Sequence, residues 1–367
     1  MNKRSPLRVI SLMGTRPEVI KLAPVHIALA RDPNQFESVL CVTGQHRQML
    51  DQAMLDFELS ASHDLNLMVQ GQGLADLSAR VLESVTGLLR TVAPHVLLVQ
   101  GDTTSAAMGA LAAFYERIPV GHVEAGLRTG DRYNPFPEEI NRRLISVVAT
   151  WHYAPTKAAV DALLSEGVKS DSILMTGNTV IDALLYIAEK VGDPPRHEGR
   201  TILVTAHRRE SFGEGFESIC QALRDIVRRN PDVRVVYPVH LNPNVREPVE
   251  RILGGEPRIE LIEPVGYREL VLLMKSAYMV LTDSGGIQEE APVLGKPVLV
   301  LRQVTERPEA VAAGTAKVVG TDRERIVSEA ELLLNDPEEY GRMARSVSPY
   351  GDGHAAERIV AHLATVG

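Results

Sequence analysis

Between Gly121 and Arg143 the chain reads GHVEAGLRTGDRYNPFPEEINRR, which sets Glu124, Asp131, Glu138 and Glu139 among Arg128, Arg132, Arg142 and Arg143. Carboxylates placed among guanidinium groups can exchange protons with a bound molecule, and arginines can grip an anion. A solvated linker could carry as many charges. This stretch instead follows the apolar run Ile118–Val120 and contains Asn134-Pro135-Phe136-Pro137. Proline holds φ at about −65° and restrains the residue before it. The segment is therefore expected to be a loop of one shape that gathers carboxylates and guanidinium groups around an anionic substrate.

The rest of the chain must position that loop. Apolar β-type runs alternate with helical patterns: Leu7–Leu12, Ser38–Thr43, His95–Gln100, Val120–Val123, Trp151–Ala154 and Ser172–Thr176 read as strands, with helices over Pro17–Arg31, Leu74–Thr91 and Thr104–Tyr115. The pattern restarts with strands at Arg200–Thr205, Val233–Pro238, Ile259–Ile262, Tyr278–Thr282 and Pro297–Leu301, and helices at Glu214–Arg229 and Gly285–Leu294. Val191–Arg200 has a linker's composition, and Glu324–Val366 reads as helical throughout. Alternation of this kind predicts an α/β chain of two doubly wound, parallel-sheet (Rossmann-like) domains. Ligands of such sheets bind at the carboxyl ends of the strands, so two facing sheets would form a central cleft.

Composition agrees with two domains. The chain has 367 residues, 44% hydrophobic and 23% charged, more than one compact core of usual size. A net charge of −8 argues against a general nucleic-acid binder. Cys41 and Cys220 lie in apolar patterns and read as reduced core residues. No run approaches the roughly 18 apolar residues of a membrane span, and the basic N-terminus is followed by a strand rather than a secretory segment, so a cytoplasmic location is expected. Neither a P-loop, HExxH nor paired CxxC occurs, and the 11 histidines show no metal spacing.

Each strand end carries something of interest, and each has a plainer explanation. Gly14-Thr15-Arg16-Pro17-Glu18, with Lys21 a turn later, sets two cations near a helix start that favours anions; a capped helix with two surface cations would look the same. Asp102, in Gly101-Asp102-Thr103, is a site carboxylate or simply an N-cap. His207-Arg208-Arg209 suits a phosphate or sugar, or forms a solvated charge cluster, and His240 is a contact or a satisfied turn histidine. In Asp283-Ser284-Gly285-Gly286-Ile287-Gln288-Glu289-Glu290, Ser284 can cap a helix, while Gly285 and Gly286 let a diphosphate approach bare N–H groups. Glu290 is then close enough to accept ribose hydroxyls, and Arg307 adds a further cation.

Together GTRPEVIKLAP, VTGQHRQML, VQGDTTS, GHVEAGLRTGDRYNPFPEEINR, TAHRRESFG and TDSGGIQEEAPVLGKPVLVLRQVTERPE resemble, in collinear order from about residue 8 to about 350, the non-hydrolysing UDP-N-acetylglucosamine 2-epimerases. The resemblance implies the two-domain fold of B-type glycosyltransferases, with domains over 1–175 and 176–352 and a last helix, 353–367, packing back on the first. It implies interconversion of UDP-N-acetylglucosamine and UDP-N-acetylmannosamine without a cofactor or metal. C2 bears no acidic C–H bond, so the family eliminates UDP (anti) to 2-acetamidoglucal and re-adds it (syn). That chemistry needs a base, an acid and support for the departing diphosphate. Asp102, Glu124 and Glu138 match the catalytic carboxylates and His207 the histidine that assists departure. Arg16, Lys21, Ser284, Gly285, Gly286, Glu290 and Arg307 match UDP contacts. Glu139 becomes a helix-start residue and Asp131 a loop partner for an arginine.

Some members also bind a second nucleotide sugar as activator, and Gln45, His46, Gln48, Arg208 and His240 match parts of that site. Met68-Val69-Gln70-Gly71-Gln72 lacks the arginine found there in those members. The resemblance implies a homodimer acting on a small nucleotide sugar. A hydrolysing epimerase, a glycosyltransferase of the same fold and a nucleotide-sugar-binding regulator stay open as alternatives.

Overall fold

The computed structural model describes residues 5–44, 47–67, 69, 71–194, 198–345 and 348–366, the side chains of Arg47 and Gln48 excepted. The chain divides into two units, one formed by Met1–Tyr186 with Tyr350–Gly367, the other by Ile187–Pro349.

The first unit alternates β1 (Leu7–Met13), α1 (Arg16–Ala30), β2 (Phe36–Val42), α2 (Arg47–Asp56), β3 (His63–Asp64), α3 (Leu74–Val92), β4 (Val96–Gln100), α4 (Thr104–Tyr115), β5 (Val120–Val123), α5 (Glu138–Val148), β6 (Trp151–Ala154), α6 (Lys157–Ser165), β7 (Ile173–Met175) and α7 (Thr179–Lys190). Its strands lie in the order β3-β2-β1-β4-β5-β6-β7, all parallel. Strand residues alternate between two cores. Val9 and Met13 join Leu22, Val25 and Leu29 of α1, while Ile10 and Leu12 join Val81, Val85 and Leu89 of α3. Burial on both faces explains why these strands read as continuous apolar runs.

The second unit runs β8 (Arg200–Thr205), α8 (Glu214–Arg229), β9 (Val233–Pro238), α9 (Pro243–Leu253), β10 (Ile259–Ile262), α10 (Tyr267–Ser276), β11 (Met279–Thr282), α11 (Gly285–Glu290), β12 (Val298–Val300), α12 (Pro308–Ala312), β13 (Ala316–Val318), α13 (Arg323–Asn335) and α14 (Pro337–Met343). Its parallel sheet has the order β10-β9-β8-β11-β12-β13. The two doubly wound α/β units predicted are present.

The C-terminal stretch differs from expectation. It is not helical throughout. Asp336 ends α13 and, with Pro337, starts α14, its carboxylate accepting the N–H groups of Glu338 and Glu339. The next helix is α15 (Ala355–Val366), and Gly351 and Gly353 take positive φ just before it. The unit division lies within α7, beyond the 175/176 boundary expected. The cause is local: Asp182 accepts the N–H groups of Ala355 and Ala356, Asn178 donates its backbone N–H to Tyr350, and Tyr186 stacks on Phe57. The last helix lies against α1 and β6, burying Ile359 and Leu363 and setting His362 Nδ1 3.1 Å from the Tyr153 hydroxyl. Residues 195–197 of the expected linker lie outside the described residues. Among the described residues no helix is long and apolar enough to cross a membrane.

Gly14 shows how tightly the strand ends are packed. Its φ is ordinary, so it is space and not backbone conformation that calls for glycine here. A Cβ there would fall 2.7 Å from Ser105 Oγ and 2.8 Å from Thr43 Oγ1. Gly14→Ala should therefore cost about 1–3 kcal/mol by overpacking, read as a lower denaturant midpoint at unchanged slope.

Candidate active site

Each sheet reverses its winding at one point, between β1 and β4 and between β8 and β11. Loops there diverge and leave room for a ligand. In the first unit the diverging loops hold Gly14–Arg16 and Gly101–Thr103, with Glu124 beside them at the end of β5.

Glu124 is 8% exposed and takes φ +65°, a left-handed conformation that a non-glycine residue adopts at a cost of about 1–3 kcal/mol. Its Oε1 accepts from Lys21 Nζ at 2.5 Å and Asn178 Nδ2 at 3.0 Å, and its Oε2 from Gln100 Nε2. A Cβ on Gly101 would lie 3.6 Å from that Oε2. The ends of β4, β5 and β7 thus converge on one carboxylate, and Lys21 reaches it from α1.

Asp102 is not the N-cap of α4. Thr103 is, its hydroxyl accepting from Ala106 N–H. The Asp102 Oδ2 instead accepts from Arg142 Nε at 2.8 Å and ion-pairs with its Nη2 at 2.8 Å, and its carbonyl accepts from Asn141 Nδ2 at 2.9 Å. Glu138 opens α5 half-buried. It stands three and four residues before Asn141 and Arg142, so it shares the helix face that meets Asp102.

Most of the remaining charges of the 121–143 stretch hold its shape. Glu139 is fully buried and accepts the N–H groups of Thr129 (3.0 Å) and Gly130 (3.4 Å) while pairing with Arg142 and Arg143. Arg128 is bound to Glu166 and to Ser146. Asp131 caps Tyr133 N–H at 2.9 Å and has no arginine partner among the described residues, contrary to expectation. A short loop is better served by an acceptor for its own amides.

Arg16 begins α1, with Pro17 second rather than first in the helix. Glu18 is buried there and joins two strand ends, accepting from Gly14 N–H (3.0 Å), the Thr15 hydroxyl (2.8 Å) and the Thr103 hydroxyl (2.8 Å). Burial pushes its carboxyl up to about 7 against those hydrogen bonds. A raised carboxyl favours the fold most below its ordinary 4.5, and that contribution is lost as pH rises through about 7. Melting temperature should therefore fall over this window in the native protein, and the fall should be smaller in Glu18→Gln.

In the second unit, β8 ends at Ala206-His207-Arg208 and β11 at Asp283-Ser284-Gly285. His207 stacks on His240, ring centroids 5.1 Å apart and planes 8° apart. His240 Nδ1 accepts Asn242 N–H at 3.1 Å, as a turn histidine does. Ser284 precedes α11 without a capping side-chain bond, and its own N–H goes to the Thr282 hydroxyl at 2.9 Å. With only six residues, α11 supplies little dipole. A Cβ on Gly285 would stand 3.8 Å from the Arg307 guanidinium, which buried Glu289 grips through Nε. Tyr267 donates its hydroxyl to Glu290 Oε1, and a Gly286 Cβ would lie 3.8 Å from Oε2. Ser284, Gly285, Gly286, Glu290 and Arg307 are therefore one cluster. Of the five residues matched to an activator site, Gln45 and His46 and the side chain of Gln48 lie outside the described residues. Arg208 and His240 flank His207.

A family model described as UDP-N-acetylglucosamine 2-epimerase matches residues 28–364. The UDP-N-acetylglucosamine 2-epimerase of Escherichia coli K12 is 54% identical over 97% of this chain and 98% of its own. This chain belongs to the UDP-N-acetylglucosamine 2-epimerase family. Among solved members of the family, the Neisseria meningitidis enzyme bound to UDP-GlcNAc superposes with a TM-score of 0.90 at 46% identity, covering 98% of this chain and 100% of that one. The glycotransferase of kitacinnamycin, 14% identical with a TM-score of 0.64 over 98% of this chain and 100% of its own, shares the fold alone.

Within this epimerase family member, sequence reasoning overlooked Gln100, Asn178, Glu18 and Glu289 as site residues. Gln100 did leave a signal: it is a polar residue at the end of buried β4, where the other candidates were sought. Asn178 did not, standing in the loop after β7, whose residues are half-buried or exposed.

Proposed function

We propose that this enzyme inverts C2 of UDP-N-acetylglucosamine, giving UDP-N-acetylmannosamine reversibly, by anti elimination of UDP to 2-acetamidoglucal and syn re-addition. Family membership supplies the substrate class. The observation that carries the reaction is the placement of Asp102 and Glu124 just past the ends of the paired strands β4 and β5, with Glu138 on the α5 face whose Arg142 holds Asp102.

In this scheme Glu124 and Glu138 handle the C2 proton on the two faces of the sugar, and Asp102, oriented by Arg142, supports the sugar ring as C1 gains positive charge. The second unit supplies the leaving-group support. Ser284, Gly285, Gly286 and Arg307 take the diphosphate, Glu290 the ribose, and His207 donates to the diphosphate as it departs. Arg16 adds a cation for the nucleotide, and Lys21 holds Glu124 as well as facing UDP. Water must be excluded while the glycal persists.

Product analysis tests the activity. With UDP-N-acetylglucosamine the expected product is UDP-N-acetylmannosamine at equilibrium with substrate. Free N-acetylmannosamine plus UDP would identify a hydrolysing epimerase instead. Activity of the UDP-N-acetylmannosamine direction should be hyperbolic unless Arg208 and His240 belong to an activator site, in which case added UDP-N-acetylglucosamine stimulates it.

A homodimer is part of the same proposal. Phe114 and Tyr115 on α4 and Leu144 and Val147 on α5 are exposed apolar side chains on neighbouring helices, which suits a second copy. Light scattering should give twice the chain mass, and Val147→Glu should shift it toward one chain.

A further inference from the structure

Asp283 follows β11 directly, at the reversal point of the second sheet, and is fully buried. Its Oδ2 accepts the backbone N–H groups of His207 at 2.6 Å and Arg208 at 2.7 Å. One carboxylate oxygen therefore fixes the turn that carries the histidine. The other, Oδ1, has no hydrogen-bond donor among the described residues and lies 3.7 Å from His207 Nδ1. Leaving a buried carboxylate oxygen without a donor is costly, and such groups in folded proteins call for a functional explanation.

We propose that Asp283 is a positioning residue for His207: its Oδ1 takes the imidazole Nδ1–H and leaves Nε2 to face the diphosphate. The inference rests on the role given to His207 above. The separation is longer than a hydrogen bond, but contacts of this kind often tighten only when substrate binds. A free neutral imidazole prefers its proton on Nε2. A carboxylate beside Nδ1 reverses that preference and stabilises the imidazolium, in which Nδ1–H points to Asp283 and Nε2–H is left to meet the negative charge that builds on the departing UDP. This places Asp283 in the reaction without contact to the reacting atoms.

Three groups set the titration of the ring. Burial lowers its proton affinity, Asp283 raises it, and His240 from the end of β9 and Arg208 from the same loop lower it further. Removing the Asp283 charge therefore removes the one influence that favours the imidazolium.

Asp283→Asn keeps an acceptor for the two backbone N–H groups and turns an amide NH₂ toward Nδ1. The test is ¹⁵N NMR of histidine-labelled full-length native and D283N proteins across pH, with kcat followed in parallel. The expected result is a neutral His207 protonated on Nδ1 in the native protein and on Nε2 in D283N. The midpoint should fall, the basic limb of kcat should move to lower pH, and kcat should drop about 10²-fold or more, with KM little changed. An unchanged tautomer and midpoint in a folded D283N would overturn the proposal, whatever happens to kcat. If D283N does not fold, the native protein decides alone: neutral His207 protonated on Nε2 overturns the pairing, and on Nδ1 supports it. If the native protein does not act on UDP-N-acetylglucosamine, the proposed activity fails, while the NMR result still decides the Asp283–His207 pair.

Discussion

Glu124→Gln should lower kcat by about 10²–10⁴-fold, the range a general acid or base contributes, while the affinity for UDP stays within a few-fold. The reason lies in what surrounds the carboxylate. Lys21, Asn178 and Gln100 all present donors to it. The isosteric amide would put an NH₂ group against at least one of them, and it cannot accept the C2 proton. UDP contacts in the proposed scheme belong mostly to Ser284, Gly285, Glu290 and Arg307, which this substitution leaves untouched. Steady-state kinetics with calorimetric UDP titration separates the two effects. Loss of UDP binding in step with kcat would make Glu124 a binding residue acting through Lys21.

Glu139→Ala should have the largest effect on stability, about 3–5 kcal/mol, because it strips a fully buried carboxylate from two arginines. It also frees the Thr129 and Gly130 amides that fix the loop. Arg142, which orients Asp102, loses its second anchor, and misplacement of about 1 Å can cost about 10²-fold in rate. A fall in both denaturant midpoint and kcat is the expected result. The pH dependence follows as well. Burial acts to raise the Glu139 carboxyl, but the Thr129 and Gly130 amides and the Arg142 charge outweigh it and hold it below its ordinary value. A lowered carboxyl stabilises the fold above its ordinary pKa and stops doing so as pH falls through the folded value. Glu139→Gln should therefore flatten the acid side of the stability profile. An unchanged acid side would show that Glu139 does not anchor the loop as a charged group.

The parallel sheets were legible because their central strands are buried on both faces and spell unbroken apolar runs, as in Val96–Val99 and Ile202–Val204. The edge strands β3 and β13 have two and three residues and left no such run. The helical composition of Glu324–Val366 concealed the Asp336-Pro337 start signal and the glycines before α15. At the candidate site, Glu124 and Asp102 could be found because a charged residue after a buried strand is conspicuous, with the resemblance deciding for Asp102 between a site carboxylate and an N-cap. Asn178 and Arg142 could not. Asn178 is one neutral residue in a loop, and nothing in its neighbours says that it reaches past β6 to Glu124. Arg142 reads only as one of four guanidinium groups in its stretch, and it is the helical spacing of α5 that directs it to Asp102. For Asp131 the resemblance implies an arginine partner, whereas the donor it meets is the backbone two residues on.

The most direct measurement is proton NMR of UDP-N-acetylglucosamine incubated with the enzyme in D₂O. Elimination and re-addition break the C2–H bond and take the new hydrogen from a group in exchange with solvent. The expected result is UDP-N-acetylmannosamine carrying deuterium at C2, with the Glu124→Gln enzyme slow in both exchange and epimerisation. UDP-N-acetylmannosamine that keeps the original hydrogen at C2, or no change in the sugar at all, would contradict it.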